Sequence, residues 1–225
     1  MGIKARIDEV RERIALAAKR TGREAQAITL LAVTKTLSVE TIQEAYDAGL
    51  RQFGENRVQE ALEKQPRLPG DVQWHLIGQL QTNKINKALD RFELIHSIDS
   101  LKLAKGLSER LQASQEILLE VNSTAEATKA GFASSQLKSL FAEINQLSHL
   151  KIRGLMTVGP LKGDGAVKRD AFKLLKELFE TLKPQANRPE DFSILSMGMS
   201  GDFEMAIEEG STLVRVGTAL FGQRA

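Results

Sequence analysis

The segment ITLLAVTK (residues 28–35) is a short apolar run, rich in β-branched residues, that ends in a lysine. Such a run is typical of a strand buried on both faces, as in parallel sheets. Similar runs alternate with helical patterns along the chain, which predicts a mostly parallel sheet because each crossover returns the chain to the same edge. The predicted strands are residues 28–34, 52–55, 72–77, 92–98, 117–121, 152–158, 192–197 and 213–216.

Eight strands in a chain of 225 residues favour an α/β fold, one closed (β/α)8 barrel of the TIM type that forms a single domain over residues 1–225. An open doubly wound sheet is the alternative, but the first strand ends in Thr34-Lys35-Thr36 and not in a glycine-rich dinucleotide turn. We expect residues 1–22 to form an extra N-terminal helix that packs on the outside. The other predicted helices are residues 39–48, 58–64, 101–111, 135–147, 169–182 and 203–209.

Composition narrows the classes of function. Lys and Arg number 31 against 29 Asp and Glu, and the charges are interspersed, so we expect no nucleic-acid partner. The chain has no cysteine, which excludes disulfides, thiolate metal sites and cysteine nucleophiles and fits a reducing compartment. With three histidines and no HExxH pairing we expect no metal site. No run reaches the roughly 18 apolar residues of a membrane span, so we expect a cytoplasmic protein.

Polar residues at the carboxyl ends of the predicted strands lie on the face that carries the active site in such barrels. Lys35 directly follows the buried first strand, where a partly desolvated amine can act as a nucleophile and form an imine. The alternative for Lys35 is a structural charge that caps the next helix or pairs with Glu55. His75 lies inside a predicted strand, where a lone histidine is more often hydrogen-bonded packing than a ligand or a base.

Two segments near the C-terminus are suited to bind an anion. Residues 196–202 (SMGMSGD) lead straight into a predicted helix, and residues 216–219 (VGTA) follow the last strand. Small and hydroxyl-bearing residues at such turns leave backbone N–H groups free for an anion. Turns after the seventh and eighth strands match the usual phosphate position of these barrels. Ser200 and Asp202 can equally be helix N-caps, and for Asp202 we favour that interpretation.

Seven segments together resemble a known family, the pyridoxal-phosphate homeostasis proteins, whose single barrel is similar to the N-terminal domain of alanine racemase. The resemblance covers most of the chain, from about Ile28 to Gly222, and the set is highly specific although each segment alone is weak. The segments are LLAVTKT (30–36), FGENRVQE (53–60), WHLIGQLQTNK (74–84), HSIDS (96–100), GLMTVGP (154–160), SMGMSGD (196–202) and VRVGTALFG (214–222).

The resemblance implies a site for pyridoxal 5′-phosphate (PLP). Lys35 carries the cofactor as a Schiff base, Asn56 lies beside the ring, and Arg215 faces the pyridine nitrogen. Gln79 and Arg57 stand where many relatives have proline and tyrosine, and these departures concern contacts at the rim. No residue is assigned a catalytic role. The implied cofactor-binding residues are Lys35, Asn56, Met197, Gly198, Ser200, Arg215, Gly217 and Thr218.

The implied function is PLP (vitamin B6) homeostasis, which keeps free PLP low and available and influences amino-acid and keto-acid pools. We expect carriage without evident turnover, because an arginine partner disfavours protonation of the ring nitrogen and so weakens the electron sink of the cofactor. The implied partners are PLP and either PLP-dependent apoenzymes or a regulatory protein. The resemblance suggests a monomer.

Two enzymatic alternatives stay open. A PLP-dependent amino-acid racemase would use Lys35 as one base and needs a second, but Tyr46, the one tyrosine of the chain, lies in a predicted helix. A Schiff-base aldolase of a phosphorylated sugar also needs a lysine and a phosphate site, although such aldolases usually carry the lysine late in the barrel.

Overall fold

The computed structural model describes residues 2–124, 130–160 and 164–223. Eight parallel strands pair in chain order, and β8 returns to pair with β1, so the sheet closes. The predicted (β/α)8 barrel is therefore confirmed. The strands are β1 (Thr29–Val33), β2 (Gln52–Glu55), β3 (Gln73–Leu76), β4 (Leu94–Ile98), β5 (Gln115–Glu120), β6 (Leu150–Met156), β7 (Ile194–Ser196) and β8 (Leu213–Val216).

Helices connect the strands and cover the outside of the barrel. Two short ones differ from the sequence-based expectation: one turn of helix follows β3 where no helix is predicted, and another follows β8 where a turn is predicted, since four residues are too few for a helical period to register. The helices are α1 (Ile3–Arg20), α2 (Val39–Asp47), α3 (Val58–Lys64), α4 (Ile85–Ala88), α5 (Leu101–Ser108), α6 (Ser134–Asn145), α7 (Gly165–Leu182), α8 (Phe203–Glu208) and α9 (Thr218–Phe221).

Helix α1 precedes the barrel and packs on α8 and α9. Its buried face carries Ile7, Val10 and Ile14 at helical spacing, and its charged face is exposed. Arg13 donates two hydrogen bonds, of 3.0 and 2.9 Å, to the carboxylate of Glu204 on α8. The two helices that follow β7 and β8 are thus held from outside by α1.

The interior of the barrel is only partly apolar. Leu94, Leu118 and Met156 form a small cluster there, separate from the large core between the sheet and the helices. Because alternate residues of a strand face the same side, His96 lies on the same face as Leu94. Its ring is hydrogen-bonded to Ser196, and since β4 and β7 are not neighbours this bond crosses the interior. A polar half of the interior therefore lies beside the apolar cluster.

Candidate functional site

A cavity of about 390 Å³ opens at the carboxyl ends of the strands. Its volume lies in the range of small-molecule and cofactor sites, and it is on the catalytic face of this barrel type. Its lining residues lie near the carboxyl end of a strand or within the five residues that follow one. The lining consists of Val33, Lys35, Asn56, Ile77, Val158, Met199, Ser200, Gly201, Arg215, Gly217 and Thr218.

Six of the eight residues that the resemblance implies line this cavity, and two do not. Met197 is fully buried in the core, and its N–H donates to the carbonyl of Leu213 at 3.2 Å. Gly198 has a φ of 93°, and a Cβ there would lie 2.5 Å from the Cβ of Ala206. The glycine is therefore required by the close approach of α8. The six residues that line the cavity are Lys35, Asn56, Ser200, Arg215, Gly217 and Thr218.

Lys35 is half-buried, and its backbone is anchored on both sides. Thr34 Oγ1 donates to the Glu55 carboxylate at 2.7 Å. Thr36 has a left-handed φ of 62°, and its N–H donates to the Glu60 carboxylate. Among the described residues, Lys35 Nζ forms no hydrogen bond or ion pair, so the alternative pairing with Glu55 is not adopted. The amine faces the cavity from a backbone that has little freedom to move.

The partner of Glu55 is Lys64, at the C-terminal end of α3. Lys64 Nζ donates to Glu55 at 2.8 Å, to the carbonyl of Thr34 at 2.9 Å and to Glu60 at 2.6 Å. Burial raises the pKa of the Glu55 carboxyl, while its bonds to Lys64 and Thr34 act in the opposite direction. One buried ammonium therefore links β1, β2 and α3 directly behind Lys35.

Ser200 lies where the sequence predicts an anion. Its Oγ accepts hydrogen bonds of 3.2 Å from the N–H groups of Gly217 and Ala219, in the turn after β8. Because Oγ accepts these two bonds, the Ser200 hydroxyl keeps its own proton to donate to a phosphate oxygen. Asp202 occupies the N-cap position of α8 but does not cap it: its carboxylate accepts from the N–H of Met199 at 2.7 Å. The expected N-cap role of Asp202 is replaced by a bond that closes the Ser200 turn.

Arg215 is 4% exposed and places its guanidinium at the wall of the cavity. Nη1 donates to the carbonyl and the Oγ of Ser196 at 2.9 and 2.7 Å, and Nη2 donates to the carbonyl of Thr157 at 2.8 Å. Burial lowers the pKa of Arg215 to about 10, so the group is a cation at neutral pH. Because a guanidinium has no acceptor atom, any ring nitrogen that it faces must itself be the acceptor.

Glu120 is a buried carboxyl at the end of β5. Its pKa is raised to about 7, mainly by burial and also by the charge of Asp99, while the charge of Arg215 acts in the opposite direction. Glu120 was not singled out from the sequence, because its place in the interior follows from which face of β5 it occupies. The pKa of this carboxyl therefore lies well above the ordinary range of a glutamate.

From the sequence, His75 was considered alone and His96 was given no role, but the structure brings the two rings together. His75 is hydrogen-bonded, as expected, and its partner is His96 on the neighbouring strand, at 2.9 Å between Nδ1 and Nε2. His75 pairs in register with Leu94, two residues before His96. The sequence places the two histidines on adjacent predicted strands, where their side chains can meet. Whether they do depends on the register of the two strands, which the sequence does not show.

The donor set fits a ligand with an anionic end, an electrophilic carbonyl and an aromatic nitrogen. The anion would meet Ser200, Thr218 and the N–H groups after β8, the carbonyl would meet Lys35, and Ile77 and Val158 offer apolar walls to a ring. Within the described residues, no group of three or more His, Asp or Glu side chains is placed to hold a metal ion. Across the same residues, no helix combines the length and apolarity needed to cross a bilayer.

Comparisons with known sequences identify the family of this chain. The family model "Alanine racemase, N-terminal domain" matches residues 6–225. A pyridoxal phosphate homeostasis protein of Aquifex aeolicus is 44% identical over 223 residues, with 97% of each chain covered. One of Pseudomonas aeruginosa is 43% identical over 222 residues, covering 97% of this chain and 94% of the relative.

Solved structures with a similar fold include proteins of related sequence. PipY of Synechococcus elongatus, solved with PLP bound, superposes with a TM-score of 0.79 and 39% identity, covering 95% of this chain and all of that one (100%). The form of PipY without PLP has a TM-score of 0.82 and 40% identity, with 94% and 99% covered. An alanine racemase of Corynebacterium glutamicum has a TM-score of 0.74 at 15% identity, with 96% and 62% covered, which shows a shared fold.

Proposed function

Because this chain belongs to the pyridoxal phosphate homeostasis protein family, built on the alanine racemase N-terminal domain, we propose that it binds PLP and acts in PLP homeostasis. The observation that carries the proposal is the convergence of Lys35, Ser200 and Arg215 on one cavity of about 390 Å³. In that cavity the Lys35 amine condenses with the aldehyde of PLP, with loss of water, and holds it as a Schiff base. When bound, the cofactor supplies an electron sink for carbanion chemistry.

In this proposal, different residues of the cavity contact different parts of the ligand. Ser200 and Thr218 would bind the phosphate, and the N–H groups of Gly217 and Ala219 hold the Ser200 hydroxyl in place for it. Asn56 lies beside the ring. Arg215, a cation held by Ser196 and Thr157, would donate to the pyridine nitrogen and disfavour its protonation. This contact disfavours the electron sink that fast turnover requires, so the arrangement suits storage and delivery better than transamination.

A second acid or base for racemisation is not provided by the tyrosine of this chain. Tyr46 lies on α2, and its hydroxyl donates to the exposed Asp71 at 2.6 Å, outside the cavity. The proposed role is therefore that of a PLP carrier. It keeps the concentration of free PLP low while PLP stays available, and in this way it influences the amino-acid and keto-acid pools. The partners would be apoenzymes that accept PLP or a regulatory protein. We place this monomeric carrier in the cytoplasm, since a chain without cysteine suits a reducing compartment.

The first experiment compares three proteins: wild type, Lys35→Ala, and the matched control Lys84→Ala, which removes a half-buried lysine that does not line the cavity. Each is mixed with PLP, passed through gel filtration and scanned in the visible range. A second sample is reduced with borohydride and digested, and the modified peptide is located by mass spectrometry. We expect a band and a modified Lys35 peptide in wild type and Lys84→Ala, and neither in Lys35→Ala.

Two results would contradict the proposal. If wild type retains no band, the cavity binds some other anion. If Lys35→Ala keeps the band and a different lysine is modified, Lys35 is not the attachment point.

Incubation of the loaded protein with single-enantiomer alanine in deuterium oxide tests the carrier role, because α-deuterium incorporation at a catalytic rate would make the protein a racemase. Size-exclusion chromatography with light scattering tests the monomer.

A further inference from the structure

A continuous chain of hydrogen bonds runs through the barrel from Arg215 to His75. Arg215 Nη1 lies 2.7 Å from Ser196 Oγ, Ser196 Oγ lies 3.1 Å from His96 Nδ1, and His96 Nε2 lies 2.9 Å from His75 Nδ1. These four side chains are between 0% and 5% exposed. This chain of hydrogen bonds joins residues of β8, β7, β4 and β3, so it links opposite sides of the barrel across its interior.

The two ends of this chain reach opposite mouths of the barrel. Arg215 lines the cofactor cavity at the carboxyl ends of the strands. His75 lines a different cavity, of about 430 Å³, at the amino ends of the strands, together with Gln52, Glu116 and Thr212. A residue at the far mouth is thus hydrogen-bonded, through two intermediates, to the group that faces the candidate cofactor site.

The donor-only chemistry of Arg215 fixes the direction of the first bond, in which Nη1 donates to Ser196 Oγ. Since Nη1 donates to Ser196 Oγ, the Ser196 hydroxyl is free to donate its own proton to His96 Nδ1. If the Ser196 hydroxyl donates in this way, His96 carries its proton on Nε2 and donates to His75 Nδ1, and the His75 proton is on Nε2. Both rings are neutral at pH 7, since burial lowers the pKa of His75 to about 4 and the pKa of His96 well below its ordinary value.

We propose that His96 is a positioning residue for Arg215: acting through the Ser196 hydroxyl, and backed by His75, it holds the guanidinium in its orientation toward the cofactor. The proposal rests on the proposed function, because it names a residue that acts on the same site. Without His96 the Ser196 hydroxyl loses its acceptor and is free to rotate. Its proton can then turn toward the Arg215 guanidinium, which is also a donor, and this weakens the Arg215–Ser196 bond. The two carbonyl bonds of Arg215 remain, so the guanidinium loosens without leaving the cavity wall.

The test uses variants that differ in which bond they remove. His96→Leu removes the bonds to both Ser196 and His75. His96→Asn is the conservative variant, because its Oδ1 lies near the position of Nδ1 and can accept from Ser196. Ser196→Ala removes the hydroxyl. His149→Asn, at an exposed histidine with a left-handed φ of 63°, is the matched control.

With PLP bound, we expect His96→Leu and Ser196→Ala to move the visible absorption maximum and to weaken PLP binding by about 10-fold, the equivalent of one hydrogen bond. His96→Asn and His149→Asn should match wild type in both readouts. Equal spectra and affinities in all five proteins would overturn the proposal. Thermal unfolding identifies any variant that fails to fold, and His96→Asn and Ser196→Ala then carry the comparison.

A second measurement needs no cofactor and separates this proposal from the proposed function. In the ligand-free protein, long-range ¹H–¹⁵N spectra should place the ring proton of His75 and His96 on Nε2, and the guanidinium protons of Arg215 should exchange about 10-fold faster in His96→Leu and Ser196→Ala. A wild-type His96 protonated on Nδ1, or unchanged exchange, would overturn the positioning role. A wild type that holds no PLP but shows these signatures would overturn the proposed function alone.

Discussion

Lys64 donates to the carboxylate of Glu55 across 2.8 Å, and less than a tenth of either side chain is exposed. This ion pair lies behind Lys35, because Thr34 bonds to both of its members. The second Glu55 oxygen, Oε2, is buried without a hydrogen bond in the described part of the chain. Removal of Lys64 would therefore leave a buried carboxylate supported by Thr34 alone.

Lys64→Met tests this pair. We expect a loss of about 3–5 kcal/mol in the free energy of unfolding, the usual effect of removing one partner of a buried ion pair. The control Lys4→Met breaks an exposed pair with Asp8 and should cost less than about 0.5 kcal/mol. Urea denaturation of both variants measures the difference. Similar midpoints would mean that Glu55 finds another partner or loses its charge without penalty.

Gly78→Ala should disturb Asn56 and the cavity edge. A Cβ at Gly78 would lie 2.2 Å from the carbonyl oxygen of Asn56, so the backbone after β2 must move. We expect a destabilisation of about 2 kcal/mol or more. Gly70→Ala, where a Cβ meets nothing within 4 Å, should stay within about 0.5 kcal/mol of wild type. Unfolding curves that coincide for both variants would refute the close approach.

Ser200→Ala should weaken recognition of the phosphate specifically. The variant keeps the N–H groups of Gly217 and Ala219 but loses the hydroxyl beside them. We expect affinity for PLP to fall about 10-fold, while affinity for pyridoxal, which lacks the phosphate, stays the same. Fluorescence titration with both ligands measures the ratio, with the exposed Ser139→Ala as control. An equal loss for both ligands would place Ser200 elsewhere than at the phosphate.

Glu120→Gln should change how stability depends on pH. The folded-state pKa of Glu120 is raised to about 7, so its favourable contribution is complete below its ordinary pKa of 4.5 and is lost as the pH rises through 7. The glutamine variant cannot ionise, and its stability relative to wild type should therefore increase by about 2 kcal/mol between pH 5 and pH 8. Denaturation of the ligand-free proteins at both pH values measures this.

The control for that experiment is Glu63→Gln, at an exposed position of α3. Its stability relative to wild type should change little between the two pH values. If Glu120→Gln behaves in the same way, the Glu120 carboxyl is ionised at ordinary pH and the burial of its side chain is relieved by water or by motion.

The sequence predicted the barrel because local patterns carry it. The bounds of β2, β8 and α3 agree with the predicted ranges, and turn residues mark the ends of most other elements. The cavity lining was accessible for the same reason, since parallel strands bring their carboxyl ends together. Pairs between side chains of different elements were not accessible: His96 and Ser196 are 100 residues apart, and no local pattern shows that Lys64 on α3 is buried against Glu55 on β2.

The hydrogen-bond chain from Arg215 to His75 also bears on how such a sequence can change over time. Each member is hydrogen-bonded to the next and is buried, so a single replacement changes the donors and acceptors that its neighbour can use. Substitutions at Ser196, His96 and His75 are therefore expected to be tolerated in combination more readily than singly. In evolutionary terms we expect the three positions to behave as one epistatic unit and to change together.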